Sequence, residues 1–263
     1  MAELAERVKA LGARPGLWYR PLMANADQPR SWRLQRDSSI LDPTVPEVRA
    51  HIRQAVARFH GWGYEMIKHD YTTYDICGRW GMKMGAEVTR EGWAFADRSR
   101  TTAEVVRDLY QDIRQAAGND TLIIGCNTMG HLAAGIFELQ RIGDDTSGNE
   151  WNRTRDMGVN CLGFRAPQNG TFFMVDADCA GQTSVHSVPW EKNSQWLDLL
   201  AHSGTALFVS FPRETVSAEQ ELALQAALTA ASRPQPLAEP LDWLARRTPE
   251  AWRLDAKEKH FSW

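Results

Sequence analysis

The sequence has few cysteines and no long apolar run. Its four cysteines, Cys77, Cys126, Cys161 and Cys179, form no C-x-x-C pair, so the spacing indicates neither a disulfide framework nor a zinc site. No apolar stretch approaches the roughly 20 residues that a membrane-spanning helix needs. The first residues, MAELAERVKALGARPG, also lack the apolar centre of a secretory signal peptide. We therefore expect free thiols in a cytoplasmic protein that makes no membrane contact.

The sequence also lacks an excess of charge of either sign. It has 30 Lys and Arg against 33 Asp and Glu, a formal net charge of −3, which gives no electrostatic reason to expect a nucleic acid partner. No G-x-G-x-x-G or Walker-type loop follows any predicted strand, so standard nucleotide-binding folds are disfavoured. Tryptophan is abundant, with 11 residues. They indicate either a large aromatic core or surfaces that stack on sugars.

What the sequence contains is an alternation of strands and helices. One predicted helix has Pro46 near its first turn and ends at Gly61 or Gly63. Apolar strands separated by helices of this length indicate parallel βαβ units. Helices are predicted near residues 3–11, 41–63, 99–120, 151, 190–202 and 216–232. A long loop is predicted at 71–100. Six strands are predicted to end near Pro21, Asp70, Cys126, Asp145, Asp178 and Ser210.

Polar residues fall at the C-terminal ends of these strands, where parallel α/β folds place their chemistry. This placement, without a phosphate-binding loop, favours a (β/α)8 TIM-type barrel over a doubly wound sheet. Six strands rather than eight make the predicted barrel partial. We expect residues 1–233 to form this catalytic domain. The proline-rich and then charged segment 234–263 is expected to be a linker or the start of a further domain.

Carboxylates recur at three of these strand ends, in KHD, RIGDD and VDAD. Converging carboxylates suit glycoside cleavage, which needs two carboxyl groups flanking the bond, or a hard metal ion. Lys68 and Arg141 lie among them, and such cations repel a metal but suit neutral sugar hydroxyls. We therefore predict sugar chemistry with no metal and no cofactor. A lone Asp70 could instead be neutralised by Lys68 or cap the next turn.

Several motifs, in order along most of the chain, resemble the clan-D glycoside hydrolases. These are the retaining α-galactosidases and α-N-acetylgalactosaminidases of families 27 and 36, and the likeness is greatest for family 36. GARPGLWYRPL is similar to the family's third strand, and LDPTVPEVRAHI with WGYEMIKHD to the helix and fourth strand that carry its K-x-D motif. GCN, the R-x-x-x-D of RIGDD and the D-x-D of VDAD match the fifth, sixth and seventh strands. The resemblance thus implies strands 3 to 8 of the barrel.

The resemblance implies that Asp70 is the nucleophile and Asp145, four residues after Arg141, the general acid/base. Lys68 would hold the sugar near O3 and O4, and Arg141 near O2. Lys68, on the same face of the strand as Asp70, would favour the ionised nucleophile. Burial beside other carboxylates such as Asp144 would favour a proton on Asp145. Asp144 is the alternative acid, although a capping or supporting role is the preferred interpretation.

Further residues are expected around the sugar. Cys126 matches a cysteine that lines the family's pocket, but it could equally be a small buried hydrophobe. Asn127 and Asp178 are predicted to bind substrate, and for Asp178, as for Asp176, shaping the rim is an equal alternative. Trp80, like Trp93 in the same long loop, is a candidate for sugar stacking. The remaining expectations are that His69 packs behind the site and that Trp18, Trp62 and Trp190 belong to the core.

The sequence departs from the family pattern, because the first two strands and the C-terminal β-domain are not matched. Three explanations are considered: a truncated gene model, a chain completed by another subunit or by a second copy of itself, and a non-catalytic relative. We expect a retaining α-galactosidase that acts on α-galactosides. The alternatives are an α-galactosyltransferase of the raffinose-synthase kind and a sugar-binding remnant.

Overall fold

The computed structural model describes residues 1–79, 94–182 and 188–263. It divides the chain into two compact units, Met1–Gln140 and Arg141–Trp263. Among the described residues, no helix combines the length and the apolarity that crossing a membrane would require. The first unit contains helices α1 (Ala2–Ala10), α2 (Pro46–Gly61), α3 (Thr72–Cys77), α4 (Thr102–Ala117) and α5 (Gly130–Ala133), and strands β1 (Gly16–Tyr19), β2 (Met66–His69), β3 (Leu122–Gly125) and β4 (Leu139–Arg141), whose last residue begins the second unit.

The strands of the first unit pair in parallel and in chain order. Trp18 lies opposite Lys68, and Lys68 lies opposite Ile124. Because side chains alternate along a strand, the intervening residues Ile67 and Ile123 point to the other face, where both are fully buried. Their core cluster includes apolar residues of α2 and α4, so these helices cover that face of the sheet.

The two long helices of the first unit, α2 and α4, lie within the stretches predicted for them and begin a few residues after the predicted starts. Pro46 occupies the first turn of α2, where its missing N–H costs no hydrogen bond. A capping box opens α4, with Thr101 accepting from the Glu104 amide and the Glu104 carboxylate accepting from the Thr101 amide. In the part of the predicted loop 71–100 that the structure describes, residues 71–79 and 94–100, a short helix, α3, begins at Thr72, shortly after the end of β2.

The second unit continues the alternation. It contains α6 (Trp151–Arg153), a π-helix (Thr154–Val159), α7 (Asn160–Arg165), β5 (Met174–Gly181), α8 (Trp190–Ala201), β6 (Ala206–Ser210) and α9 (Ala218–Ala231). Strands β5 and β6 are parallel, with a register shift between Asp176 and Cys179. Each unit thus contains parallel strands separated by helices. The predicted parallel α/β class is confirmed, whereas the assignment to strands 3 to 8 of an eight-stranded barrel stays a prediction.

Residues 234–263 form a small antiparallel sheet of β7 (Glu239–Pro240), β8 (Ala251–Leu254) and β9 (Lys257–His260). Trp252 and Phe261 lie in the same hydrophobic cluster as Trp196 of α8. The Trp252 side chain is fully buried and donates from Nε1 to the carbonyl oxygen of Pro249, 2.9 Å away. This segment therefore contributes side chains to the core of the second unit.

Replacing Trp252 with alanine should lower the free energy of unfolding by about 3 to 5 kcal/mol, because it removes the largest buried side chain of this segment. Urea denaturation followed by circular dichroism measures the change. Leu244→Ala is the matched control, because Leu244 lies in the same segment but is 86% exposed. Equal effects of the two substitutions would contradict the packing of Trp252 in the core.

Candidate active site

Asp70 follows β2 directly and continues its ladder, since its amide donates to the carbonyl oxygen of Tyr19 at 2.9 Å. The residue is only 8% exposed. Its Oδ2 accepts a hydrogen bond of 2.8 Å from Trp18 Nε1, and its Oδ1 accepts one of 2.7 Å from the Tyr71 amide. Two donors on different elements therefore fix the orientation of this carboxylate. We call Trp18, Lys68, Asp70 and Tyr71 the Asp70 group.

Trp18 was expected in the core, and that expectation is wrong. Its side chain is 52% exposed, and it lies on the face of the sheet that Lys68 and Asp70 share. The ring also meets Tyr71 edge to face, with centroids 6.2 Å apart. Sequence reasoning missed Trp18 as a site residue because large aromatic residues are usually buried. The signal that could have found it is register, since parallel pairing places Trp18 beside Lys68.

His69 points away from the Asp70 group, as predicted. It is fully buried, with the rings of Tyr110 and Phe137 at centroid distances of 5.3 and 5.4 Å, and its Nε2 contacts the Thr72 hydroxyl. Burial in this apolar surrounding lowers the pKa of His69 to about 3. His69 is therefore neutral at physiological pH and supports the strand that carries Lys68 and Asp70.

Cys126 and Asn127 follow β3 in the same unit. Cys126 is buried, and its amide donates to the His69 carbonyl oxygen at 2.7 Å. The Asn127 carbonyl oxygen accepts from the Thr73 amide at 2.9 Å and so connects this strand end to α3. Contact of either residue with a sugar stays a prediction. Trp80 and Trp93, predicted to stack on sugars, lie outside the described residues.

The second unit brings together the residues predicted at the ends of β4 and β5. Arg141, whose side chain is 2% exposed, ends β4. Its Nη2 lies 2.7 Å from Asp145 Oδ1 and 2.8 Å from Asp178 Oδ2. The R-x-x-x-D and D-x-D motifs therefore converge on one buried guanidinium. We call Arg141, Asp144, Asp145 and Asp178 the Arg141 group.

Asp144 and Asp145 have different surroundings. The Asp144 carboxylate accepts from the Asp145 amide at 2.8 Å and pairs with Arg153 at 2.6 Å. Asp145 is 68% exposed, so the expectation that it is buried among carboxylates is wrong. The strand ends at Arg141, and the turn that follows carries Asp145 outward to the surface. Asp144 thus holds the turn in place, while Asp145 presents its carboxylate at the surface.

Asp178 occupies a distorted part of β5. The pairing of β5 with β6 shifts register between Asp176 and Cys179, on either side of this residue. Its Oδ2 accepts from the Thr146 amide at 2.6 Å, and its own amide donates to the buried Asp176 carboxylate at 2.7 Å. Both aspartates therefore shape the rim of β5. Whether Asp178 also binds substrate stays a prediction.

Among the described residues, three of the four non-glycine residues with a positive φ lie at these strand ends, and the fourth is Asp255 between β8 and β9. Tyr71, Asn127 and Asp178 have φ angles of 70°, 48° and 69°. Non-glycine residues rarely adopt positive φ, and the cost of doing so persists where the surrounding structure imposes it, often at functional sites. Each of these residues is, or directly follows, a candidate site residue. The strain therefore supports the location of the candidate site independently of the motifs.

Gly143 allows the turn of the Arg141 group to approach the π-helix. A Cβ atom at this position would lie 1.8 Å from the Met157 carbonyl oxygen, which is backbone and cannot move aside cheaply. Gly158 in the π-helix is also confined, because a Cβ atom there would lie 2.8 Å from the Trp196 ring. π-helical turns are rare and occur frequently at functional sites. Here the π-helix supports the turn that carries Asp144 and Asp145.

No family model and no curated protein matches the chain. Several solved structures have a similar fold. One is an α-galactosidase from Thermus thermophilus in complex with p-nitrophenyl α-D-galactopyranoside, with a TM-score of 0.67 and 22% identity over 100% of this chain and 55% of that chain. Another is a family 27 β-L-arabinopyranosidase from Geobacillus stearothermophilus, with a TM-score of 0.62 and 14% identity over 90% and 58% of the two chains.

An α-galactosidase from Saccharomyces cerevisiae with raffinose is also similar, with a TM-score of 0.59 and 10% identity over 90% of this chain and 51% of that one. The chain thus spans about half the length of these solved proteins. At identities this low, the likeness establishes a shared fold. The shared fold is one that glycosidases use.

Acidification should destabilise the protein through His69. Because its folded pKa of about 3 lies below the ordinary value, the unfolded chain binds a proton first as the pH falls below about 6.5. This contribution to stability is complete above that pH and decreases by roughly 1.4 kcal/mol per pH unit down to about pH 3. His69→Phe keeps a ring between Tyr110 and Phe137, and should flatten the pH dependence of urea unfolding between pH 6 and 4.

His131→Gln, a substitution of an exposed histidine, is the control for the loss of an imidazole in this experiment. A wild-type slope in the His69→Phe variant would show that another group causes the acid sensitivity.

Gly143→Ala should lower the free energy of unfolding by about 1 to 3 kcal/mol, because the added methyl group overlaps the Met157 carbonyl oxygen. Gly61→Ala should change the free energy of unfolding in the opposite direction. It is a helical glycine with nothing within 4 Å of an added Cβ, so the substitution should stabilise by up to about 1 kcal/mol. Thermal melts compare the two variants, and stabilisation by Gly143→Ala would refute the close approach.

Proposed function

We propose that the protein is a retaining α-glycosidase of the clan-D type, nearest to family 36, that hydrolyses terminal α-galactosides. The observation that carries the proposal is the Asp70 carboxylate, fixed at a strand end by Trp18 Nε1 and the Tyr71 amide. The fold it shares with α-galactosidases supports the substrate class. The motifs at the ends of β2 to β5 support the assignment of roles.

In this mechanism Asp70 attacks the anomeric carbon of the galactoside while Asp145 donates a proton to the departing oxygen. Water then attacks the glycosyl-enzyme intermediate, and Asp145 removes the proton from that water. Two inversions at the anomeric carbon return the α configuration, which defines a retaining enzyme. A nucleophile must approach the anomeric carbon along one line, so a carboxylate held by two hydrogen bonds is suited to the task.

Lys68 and Arg141 orient the sugar in this proposal. Lys68 extends from the same face of β2 as Asp70 and would donate to O3 and O4. Arg141 Nη2 contacts Asp145 and Asp178. A sugar hydroxyl O2 that accepts from this guanidinium competes with both carboxylates. Sugar binding would therefore release Asp145 from Arg141 and leave its carboxyl group available for proton transfer.

The first test is hydrolysis of an aryl α-galactoside by the wild-type protein and by Asp70→Asn. The variant should keep its fold, because an amide oxygen can still accept from Trp18 or Tyr71, and should lose turnover by at least about a thousandfold. Asp144→Asn is the matched control, with a change of about tenfold or less, because Asp144 only supports the turn. Full activity of Asp70→Asn would refute the nucleophile.

Azide assigns the two roles by stereochemistry. In Asp70→Gly it can occupy the nucleophile's place and should give the β-galactosyl azide from an activated aryl galactoside. In Asp145→Gly it attacks the intermediate from the other face and should give the α-galactosyl azide. If Asp144→Gly, and not Asp145→Gly, yields the α-azide, the acid/base assignment moves to Asp144. A folded wild-type protein that hydrolyses no α-galactoside would refute the proposed activity.

A further inference from the structure

A cleft of about 450 Å³ opens in the second unit, between the helical segment that follows the Arg141 group and the segment that joins β7 to β8. Its lining includes three guanidiniums, those of Arg155, Arg246 and Arg247, together with Asn152, Asp156 and Glu250. None of these residues belongs to the Asp70 group or to the Arg141 group, so the proposed cleavage step does not account for them. The volume is within the range of small-molecule sites. We call this feature the Arg155 cleft.

Two of the three guanidiniums have carboxylate partners. Arg246 Nη1 lies 2.6 Å from Glu250 Oε1, and its Nε lies 3.4 Å from Asp242 Oδ2. The Asp242 carboxylate also accepts from the Glu250 amide, at 3.1 Å. Arg247 Nη2 lies 3.3 Å from Asp156 Oδ2. The two acidic side chains of the lining are therefore already paired with arginines.

Arg155 differs from the other two arginines of the cleft. The residue is half-buried, and among the described residues its guanidinium forms no ion pair. Its Nη1 lies 3.5 Å from Asn152 Oδ1, at the limit of a hydrogen bond, and its buried Nε has no hydrogen-bond partner in the part of the chain that the structure describes. A positive charge partly removed from water without a partner is costly, and an anion in the cleft would reduce that cost.

The charges of the lining identify the class of ligand. Three arginines against Asp156 and Glu250 leave an excess of one positive charge, which favours an anion. Guanidiniums donate pairs of hydrogen bonds that match the oxygens of phosphate, and three of them can donate to different oxygens of one tetrahedral ion. Asp156 and Glu250 each use one carboxylate oxygen in their ion pair, so the other oxygen can accept from a hydroxyl group. A phosphate group attached to a small sugar meets both requirements.

We propose that the Arg155 cleft binds a phosphate group, free or as the ester of a small sugar, and that Arg155 is its main contact. The proposal does not depend on the proposed function. Arg155 lies in the π-helix, and the carbonyl oxygen of Met157 in the same helix is the atom that Gly143 approaches. A phosphate bound to Arg155 would therefore stabilise the helix that supports the turn of the Arg141 group.

The test is calorimetric titration of the protein with inorganic phosphate and with glucose 6-phosphate, at constant ionic strength. At least one of the two should bind with a dissociation constant of about 1 mM or lower. Arg155→Gln should weaken this binding by about tenfold or more, because it removes charge-assisted hydrogen bonds. Arg155→Lys should restore part of the affinity, since it keeps the charge but not the planar fork. Arg233→Gln, at an exposed position after α9, is the matched control and should bind as the wild-type protein does.

Arg247→Gln provides a second variant, because the Arg247 side chain is 68% exposed and its loss should leave the fold intact. It should also weaken binding, and thermal melts without phosphate verify that each variant is folded. Tighter binding of glucose 6-phosphate than of inorganic phosphate would identify the ligand as an ester, and equal binding would identify it as the free ion. The proposal would be overturned if neither compound bound at about 10 mM, or if folded Arg155→Gln and Arg247→Gln both bound with wild-type affinity.

Discussion

The Arg141 group depends on one buried charge. A guanidinium removed from water must be paired, and Arg141 meets this requirement with two carboxylates, Asp145 and Asp178. Asp178, which pairs with it, has a positive φ at the register shift of β5, and its oxygen also accepts from the Thr146 amide. Gly143 lets the intervening turn approach the π-helix. The positive φ, the register shift and the confined glycine thus accompany the pairing of Arg141.

The Asp70 group is organised differently, by strand register. Parallel pairing places Trp18 opposite Lys68, and alternation puts Asp70 on their face while His69 turns into the apolar core. Because of this alternation, the neighbours His69 and Asp70 have different surroundings. The Asp70 carboxylate accepts hydrogen bonds from nearby donors, whereas burial among apolar side chains keeps His69 neutral. A strand of four residues therefore separates a functional face from a structural one.

Tyr71 connects the Asp70 group to Arg20 and Tyr74. This residue is strained, and its amide, ring face and ring edge each contact a different partner: Asp70, Arg20 and Tyr74. Strain at a residue with three such contacts is maintained because relaxing it would break them together.

The sequence by itself determined the order of strands and helices, because hydrophobic periodicity and Pro46 in a first helical turn are local signals. It also predicted which polar residues end the strands, and Arg141 does meet Asp145 and Asp178. Only the tertiary structure decided that Trp18 is exposed beside Asp70, that Asp145 lies at the surface, and that residues after Pro234 join the hydrophobic cluster of Trp196. These depend on strand register and on packing between distant segments, which local sequence patterns do not encode.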